Sequence, residues 1–91
     1  MTKATDFKKL YSAILSLETE EECKLFFDDI CTMKELETMS QRLEVAKMLL
    51  DKKTFNEIVQ VTGASTTTIS RVNRCLNYGD GGYRSIIEKT K

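Results

Sequence analysis

Apolar residues recur three and four positions apart over most of this chain, the spacing that lines one side of an α-helix. Phe7, Leu10, Tyr11, Ile14, Leu15 and Leu17 predict a first helix over about residues 5–18. Cys23, Leu25, Phe26, Phe27 and Ile30 predict a second over about 20–31, opened by Thr19 and Glu22, which stand at the separation of a capping box. Its two adjacent phenylalanines cannot face one partner, so this helix is expected to touch two neighbours. Thr32 and Glu35 repeat the capping pattern ahead of the longest helix, about 33–52. There Leu36, Met39, Leu43, Ala46 and Leu50 form one stripe, and Val45, Met48 and Leu49 add a second arc beside it. An apolar sector that wide suits a central helix enclosed by others, including those of a second chain.

Thr54 to Leu76 has the outline of a helix-turn-helix. Thr54 and Glu57 form a further capping box, opening a helix expected to bury Ile58, Val61 and Val59, and Gly63 ends it. Ser65 can cap a second helix whose Ile69, Val72 and Leu76 lie on one side. The opposite side carries Thr66, Thr67, Thr68, Ser70, Arg71, Asn73 and Arg74. A threonine run is a poor choice for helix stability, because β-branched side chains lose χ1 freedom there. Short hydroxyl and methyl groups at a helix N-terminus do, however, allow close approach to base edges in a DNA major groove, while arginine and asparagine add longer reach. A solvated face on a purely structural helix is the competing account of the same residues.

Beyond Leu76, the run Asn77-Tyr78-Gly79-Asp80-Gly81-Gly82-Tyr83 reads as a helix stop and hinge. It lacks the Gly-Lys-Ser/Thr ending and the preceding strand of a phosphate-binding loop. Tyr83, Ile86 and Ile87 predict a last amphipathic helix over Tyr83 to Lys89. The link Asp51-Lys52-Lys53 is either an ordinary polar turn or a place where backbone phosphates are met.

The absence of proline and the four glycines agree with an all-α chain with short connections. Ninety-one residues make one domain with a modest buried fraction, so partner chains are expected. Formal net charge is zero, which argues against an indiscriminate nucleic-acid binder. Its distribution is uneven: residues 1–31 hold four basic and seven acidic groups, residues 32–63 five of each, and residues 64–91 five basic and two acidic. The basic excess therefore coincides with the second helix of the motif. Cys23, Cys31 and Cys75 have no metal-binding spacing and there is no histidine, so a zinc site, a histidine-dependent triad and an enzyme in general are not expected, nor is any cofactor. The three thiols are expected as small apolar residues in a reducing compartment. With no signal-length apolar run and nothing approaching a membrane span, the expected location is the cytoplasm.

From about Met33 to Leu76 the chain resembles the Trp repressor superfamily. The long helix with Arg42 and the run Thr68-Ile69-Ser70-Arg71 carry the likeness. The loop Leu76-Asn77-Tyr78-Gly79 followed by Gly81-Gly82-Tyr83 resembles its YerC/YecD branch in particular. This implies about six helices in a single domain over 1–91: dimerisation helices in 1–52, a helix-turn-helix in 54–76 and a C-terminal helix in 83–90. It also implies an intertwined homodimer that presents two reading heads to a pseudo-palindromic stretch of double-stranded DNA. On such a head Asn56, Thr66, Thr67, Thr68 and Arg74 meet bases, while Lys52, Lys53 and Ser70 meet phosphates.

In this family the indole of a tryptophan corepressor lies between two arginines, and Arg42 and Arg71 match those positions; Arg71 thus fits either DNA or an effector pocket. Val72 stands where the family pattern has a glycine beside the ring, and its branched side chain fills space the ligand needs. Cys75 replaces a serine in the polar part of the pocket, and the link at Asp51-Lys52-Lys53 looks one residue shorter. These departures argue against tryptophan, and no residue identifies another effector. The alternative function is a protein-interaction module that keeps the helix-turn-helix as a scaffold, which zero net charge favours.

Overall fold

The structure, a computed structural model, describes residues 6–91. Six helices follow in order: α1 Lys8–Leu15, α2 Glu20–Ile30, α3 Met33–Leu50, α4 Phe55–Thr62, α5 Thr66–Tyr78 and α6 Gly82–Lys89. There is no strand among the described residues. The chain divides into two compact units, one ending at Leu36 and the other running Glu37–Lys91.

In the first unit, α1 is shorter than the apolar spacing predicts, and the expected Thr5 start lies outside the described residues. Asp6 Oδ1 accepts from the Lys8 N–H at 2.9 Å. At the other end the Ser16 hydroxyl takes the Ala13 carbonyl at 2.7 Å, a local bond that competes with further helix. The Thr19 hydroxyl caps α2 by accepting from the Glu22 N–H at 3.0 Å. Glu22 does not close the expected box, since its carboxylate accepts from the Glu18 N–H instead, at 2.8 Å. Ahead of α3, Thr32 and Glu35 do exchange both bonds, at 3.1 and 2.8 Å. Phe26 and Phe27 are both half-buried and meet edge to face, with ring centroids 5.3 Å apart. Neither α1 nor α2 has a buried residue, and Leu15, Leu25, Ile30 and Met33 are exposed.

The core belongs to the second unit. Val45 and Ala46 of α3, Ile58 of α4, Ala64 of the turn, Ile69, Val72 and Leu76 of α5 and Ile87 of α6 are buried together, flanked by Met48, Leu49, Leu50, Val59 and Tyr83. The broad apolar sector of α3 is thus split: the Val45 arc enters this core, whereas Met39 and Leu43 are exposed. Val61 is also exposed, contrary to expectation. Helix α4 turns its Ile58, Val59 and Thr62 side inward, which rotates Val61 to the outside.

Helix α3 ends at Leu50, two residues before the predicted limit. The Lys52 N–H donates to the Leu49 carbonyl and the Lys53 N–H to the Met48 carbonyl, each at 3.0 Å. This is a Schellman closure, and it places Lys52 at φ 66°, the left-handed position usually held by glycine. Helix α5 runs two residues beyond its predicted end, to Tyr78, because the Gly79 N–H still reaches the Cys75 carbonyl at 2.9 Å. A Cβ at Gly79 would lie 2.5 Å from that carbonyl oxygen, so the close approach requires glycine.

Candidate nucleic-acid interface

Both helices of the motif start from satisfied caps. Thr54 and Glu57 form the predicted box: the Glu57 N–H donates to the Thr54 hydroxyl at 3.1 Å, and the Thr54 N–H donates to the Glu57 carboxylate at 2.8 Å. The Thr54 backbone N–H first, then the Thr54 side chain, and the nearby Lys53 charge hold the Glu57 carboxyl below its ordinary pKa. Gly63, at φ 72°, closes α4 with its N–H on the Val59 carbonyl. Ser65 then caps α5 by accepting from the Thr68 N–H at 3.1 Å.

With Ile69, Val72 and Leu76 turned into the core, the other side of α5 is left open. Thr66, Thr67, Ser70, Arg71 and Arg74 are exposed and line a single open depression. Successive members stand one and three residues apart in alternation, so that positions 66, 70 and 74 and positions 67 and 71 lie four apart, and the set shares one side over about two turns of helix. The depression contains two guanidinium groups, three hydroxyls and no carboxylate. Among the described residues the ion pairs are Lys24–Asp28 and Lys91–Glu88, so Arg71 and Arg74 remain unpaired. At the threonine end the helix dipole adds a partial positive charge. The arrangement can hold anionic oxygens and offer donors and methyls to a surface of alternating polarity.

Other predicted residues fall outside that depression. Thr68 is half-buried and its hydroxyl accepts from Ser65 Oγ at 3.2 Å, so it serves the cap. Asn56 is exposed at the start of α4, and Lys53 is exposed beside it. Lys52 borders a separate hollow with Leu49, Leu50, Asn73, Leu76, Asn77 and Arg84. Of the candidate effector-pocket residues, Arg42 is half-buried on α3 and Val72 is 2% exposed in the core. Arg71 lines the α5 depression, whereas Cys75 is exposed in another, mainly apolar hollow formed with Leu43, Tyr83, Ile86 and the glycine connector.

Three further residues matter here that the residue pattern did not single out. Gln41 of α3 donates its amide to the Thr62 carbonyl at 3.2 Å. Thr62 in turn bonds the Ile58 carbonyl through its hydroxyl, at 2.7 Å, and accepts from the Ala64 N–H at 3.1 Å. Arg84 of α6 donates from Nε to the Leu76 carbonyl at 3.3 Å. Only the Thr62 back-bond had a signal in the sequence, since a threonine at a helix end often takes the carbonyl four residues earlier.

An all-α chain with a capped helix-turn-helix, whose second helix keeps a basic and hydroxyl face free of ion pairs among the described residues, belongs to the class of helix-turn-helix proteins. A profile of the Trp repressor protein family matches residues 5–91. The chain is 48% identical over 89 residues to the protein YerC of Bacillus subtilis (strain 168), covering 98% of this chain and 86% of that one. A TrpR like protein from Eubacterium eligens ATCC 27750 superposes with a TM-score of 0.89 at 52% identity, over 91% of this chain and 86% of the other. A Staphylococcus aureus crystal structure gives a TM-score of 0.90 at 49% identity, over 92% and 84%. This chain belongs to the Trp repressor family. Among the described residues no helix is long and apolar enough to cross a membrane, and no group of three or more His, Cys, Asp or Glu residues could hold a metal ion.

Proposed function

We propose that the chain is a sequence-specific, DNA-binding transcriptional regulator that works in the cytoplasm as a homodimer. The observation that carries this reading is the α5 depression, where Thr66, Thr67, Ser70, Arg71 and Arg74 stand exposed without a carboxylate among them. Thr66, Thr67 and Arg74 read base edges, with Asn56 beside them. Ser70, Lys52 and Lys53 meet phosphates, which position the head without reading sequence. Arg71, sharing the depression, faces DNA. Thr68 is less accessible to DNA than its neighbours, being half-buried with its hydroxyl already accepting from Ser65 Oγ.

Dimerisation is supported by the apolar residues that α1 and α2 leave exposed, Leu15 at 83% and Leu25 at 64% among them. A second copy of residues 1–52 supplies the cover, in one domain per chain. A twofold dimer of helix-turn-helix units, the Trp repressor included among such dimers, reads half-sites one DNA turn, about 34 Å, apart. On this reading tryptophan is not required: Val72, buried in the core, stands where the family resemblance has a glycine beside the ring, and its branched side chain takes up that space.

Selection of bound duplexes from a random pool, with and without tryptophan, tests the reading. Enrichment of two inverted half-sites about one turn apart, independent of tryptophan, is the expected outcome. Affinity for the selected duplex should fall steeply with salt as phosphate contacts release counterions. A pool that stays random after selection sinks the proposal.

A further inference from the structure

Among the described residues, two side-chain hydrogen bonds join positions more than four residues apart, and both end on the helix-turn-helix. Gln41 Nε2 grips the carbonyl of Thr62, the last residue of α4, across 21 residues of chain. Arg84 Nε grips the carbonyl of Leu76 in the last turn of α5, across eight. Every other side-chain bond is local, within a cap or a helical turn. Carbonyls in the last turn of a helix have no intrahelical partner, so an outside donor at each is a directional hold where the helix would otherwise be held by apolar packing alone. Packing of Ile58, Ile69 and Val72 sets how deep the two helices sit, but apolar contact is non-directional and fixes tilt poorly.

The Gln41 bond has a further reach. The same Thr62 uses its hydroxyl to join the Ile58 carbonyl to the Ala64 N–H, and so shapes the turn that leads directly to the Ser65 cap. A shift of the Thr62 carbonyl is therefore passed through one rigid turn to the threonine end of α5. Arg84 acts at the opposite end of the same helix. Together they fix two points on α5's course, one through the turn and one directly.

Resting on the DNA-reading proposal above, we infer that Gln41 and Arg84 are positioning residues for sequence discrimination: they touch no base, and they hold the reading helix at the tilt its base contacts need. Base-edge hydrogen bonds weaken steeply with misalignment, whereas the attraction of exposed cations for phosphate depends little on tilt. Loss of a tether therefore lowers the preference for the correct sequence and leaves general DNA affinity in place.

The test compares the selected duplex with a scrambled duplex of equal length, by fluorescence anisotropy at one salt concentration, on the full chain. Gln41→Met keeps side-chain length and charge and removes the donor. Its preference for the selected duplex should fall about tenfold, the effect of about 1.4 kcal/mol, while affinity for the scrambled duplex stays within about twofold. Gln41→Asn, which retracts the amide by one methylene, should behave alike and serves if Gln41→Met unfolds. Arg84→Met removes a charge as well, so it is read as the ratio of the two affinities, which should also fall. An unchanged ratio in folded Gln41 variants, with wild-type protein still preferring the selected duplex, overturns the positioning role and leaves DNA reading intact. Equal losses on both duplexes overturn it too. Wild-type protein with no preference at all overturns the DNA reading and the tethers with it.

Discussion

The Lys53 N–H closes on the Met48 carbonyl at 3.0 Å, and the lysine between α3 and that bond, Lys52, takes φ 66° as a result. A residue with a Cβ is strained there by about 1–2 kcal/mol, of which glycine is free, although glycine gives back about 0.5–1 kcal/mol in chain entropy. Lys52→Gly should therefore stabilise the protein by about 0.5–1 kcal/mol in urea unfolding. Lys52→Val should destabilise it. If Lys52 also meets a phosphate, the glycine variant will be more stable and bind DNA more weakly, a separation that neither effect alone produces.

Thr67 is exposed in the α5 depression beside Thr66, Ser70, Arg71 and Arg74. Thr67→Glu places a negative charge at the proposed DNA surface without touching the core. Specific binding should be lost, with the thermal midpoint nearly unchanged. Unaltered affinity would remove Thr67 from the interface.

Glu57 completes the α4 capping box, and its folded pKa lies below the ordinary value. Its contribution to stability is then complete above the ordinary glutamate value, about 4.3, and fades as pH falls through the lower folded one. Wild-type protein should exceed Glu57→Gln in stability at neutral pH, and the gap should narrow progressively below about pH 4.3. A gap that widens on acidification would contradict the sign of the shift. Thr54→Ala, which removes the other half of the box, should cost about 1 kcal/mol at neutral pH.

Val72, 2% exposed, packs with Ile58, Ile69 and Leu76 in the core. Replacing it by alanine removes two buried methyl groups' worth of contact, and Val72→Ala should cost about 2 kcal/mol in unfolding experiments. Titration of the wild-type protein with tryptophan should give no saturable heat. A micromolar isotherm would show that the side chain leaves room for the ring.

Much of this arrangement is legible in one dimension. Thr54 with Glu57, and Ser65 ahead of Thr68, announce their helices because cap chemistry is local. The exposed set on α5 follows from helical spacing once Ile69, Val72 and Leu76 are assigned inward. Lys52 escapes notice because a left-handed closure is ordinarily signalled by glycine. Val61 misleads because its spacing from Ile58 fits a helical stripe as well as that of Thr62 does, and the helix turns Val59 and Thr62 inward with Ile58 instead. The end of α5 is missed for a related reason: the glycines after Tyr78 suggest an early stop, yet backbone bonding continues to Gly79. Gln41 and Arg84 leave no mark, since partners 21 and eight residues away share no local pattern.

Exposed connectors usually accept substitution more readily than cores do. Gly79 reverses that expectation, because any larger residue drives its Cβ against the Cys75 carbonyl oxygen at 2.5 Å, a backbone atom that cannot swing aside. A saturation library would therefore find an intolerant site in full contact with water, and a homologue of different length at this corner must have rebuilt the end of α5 to accommodate it.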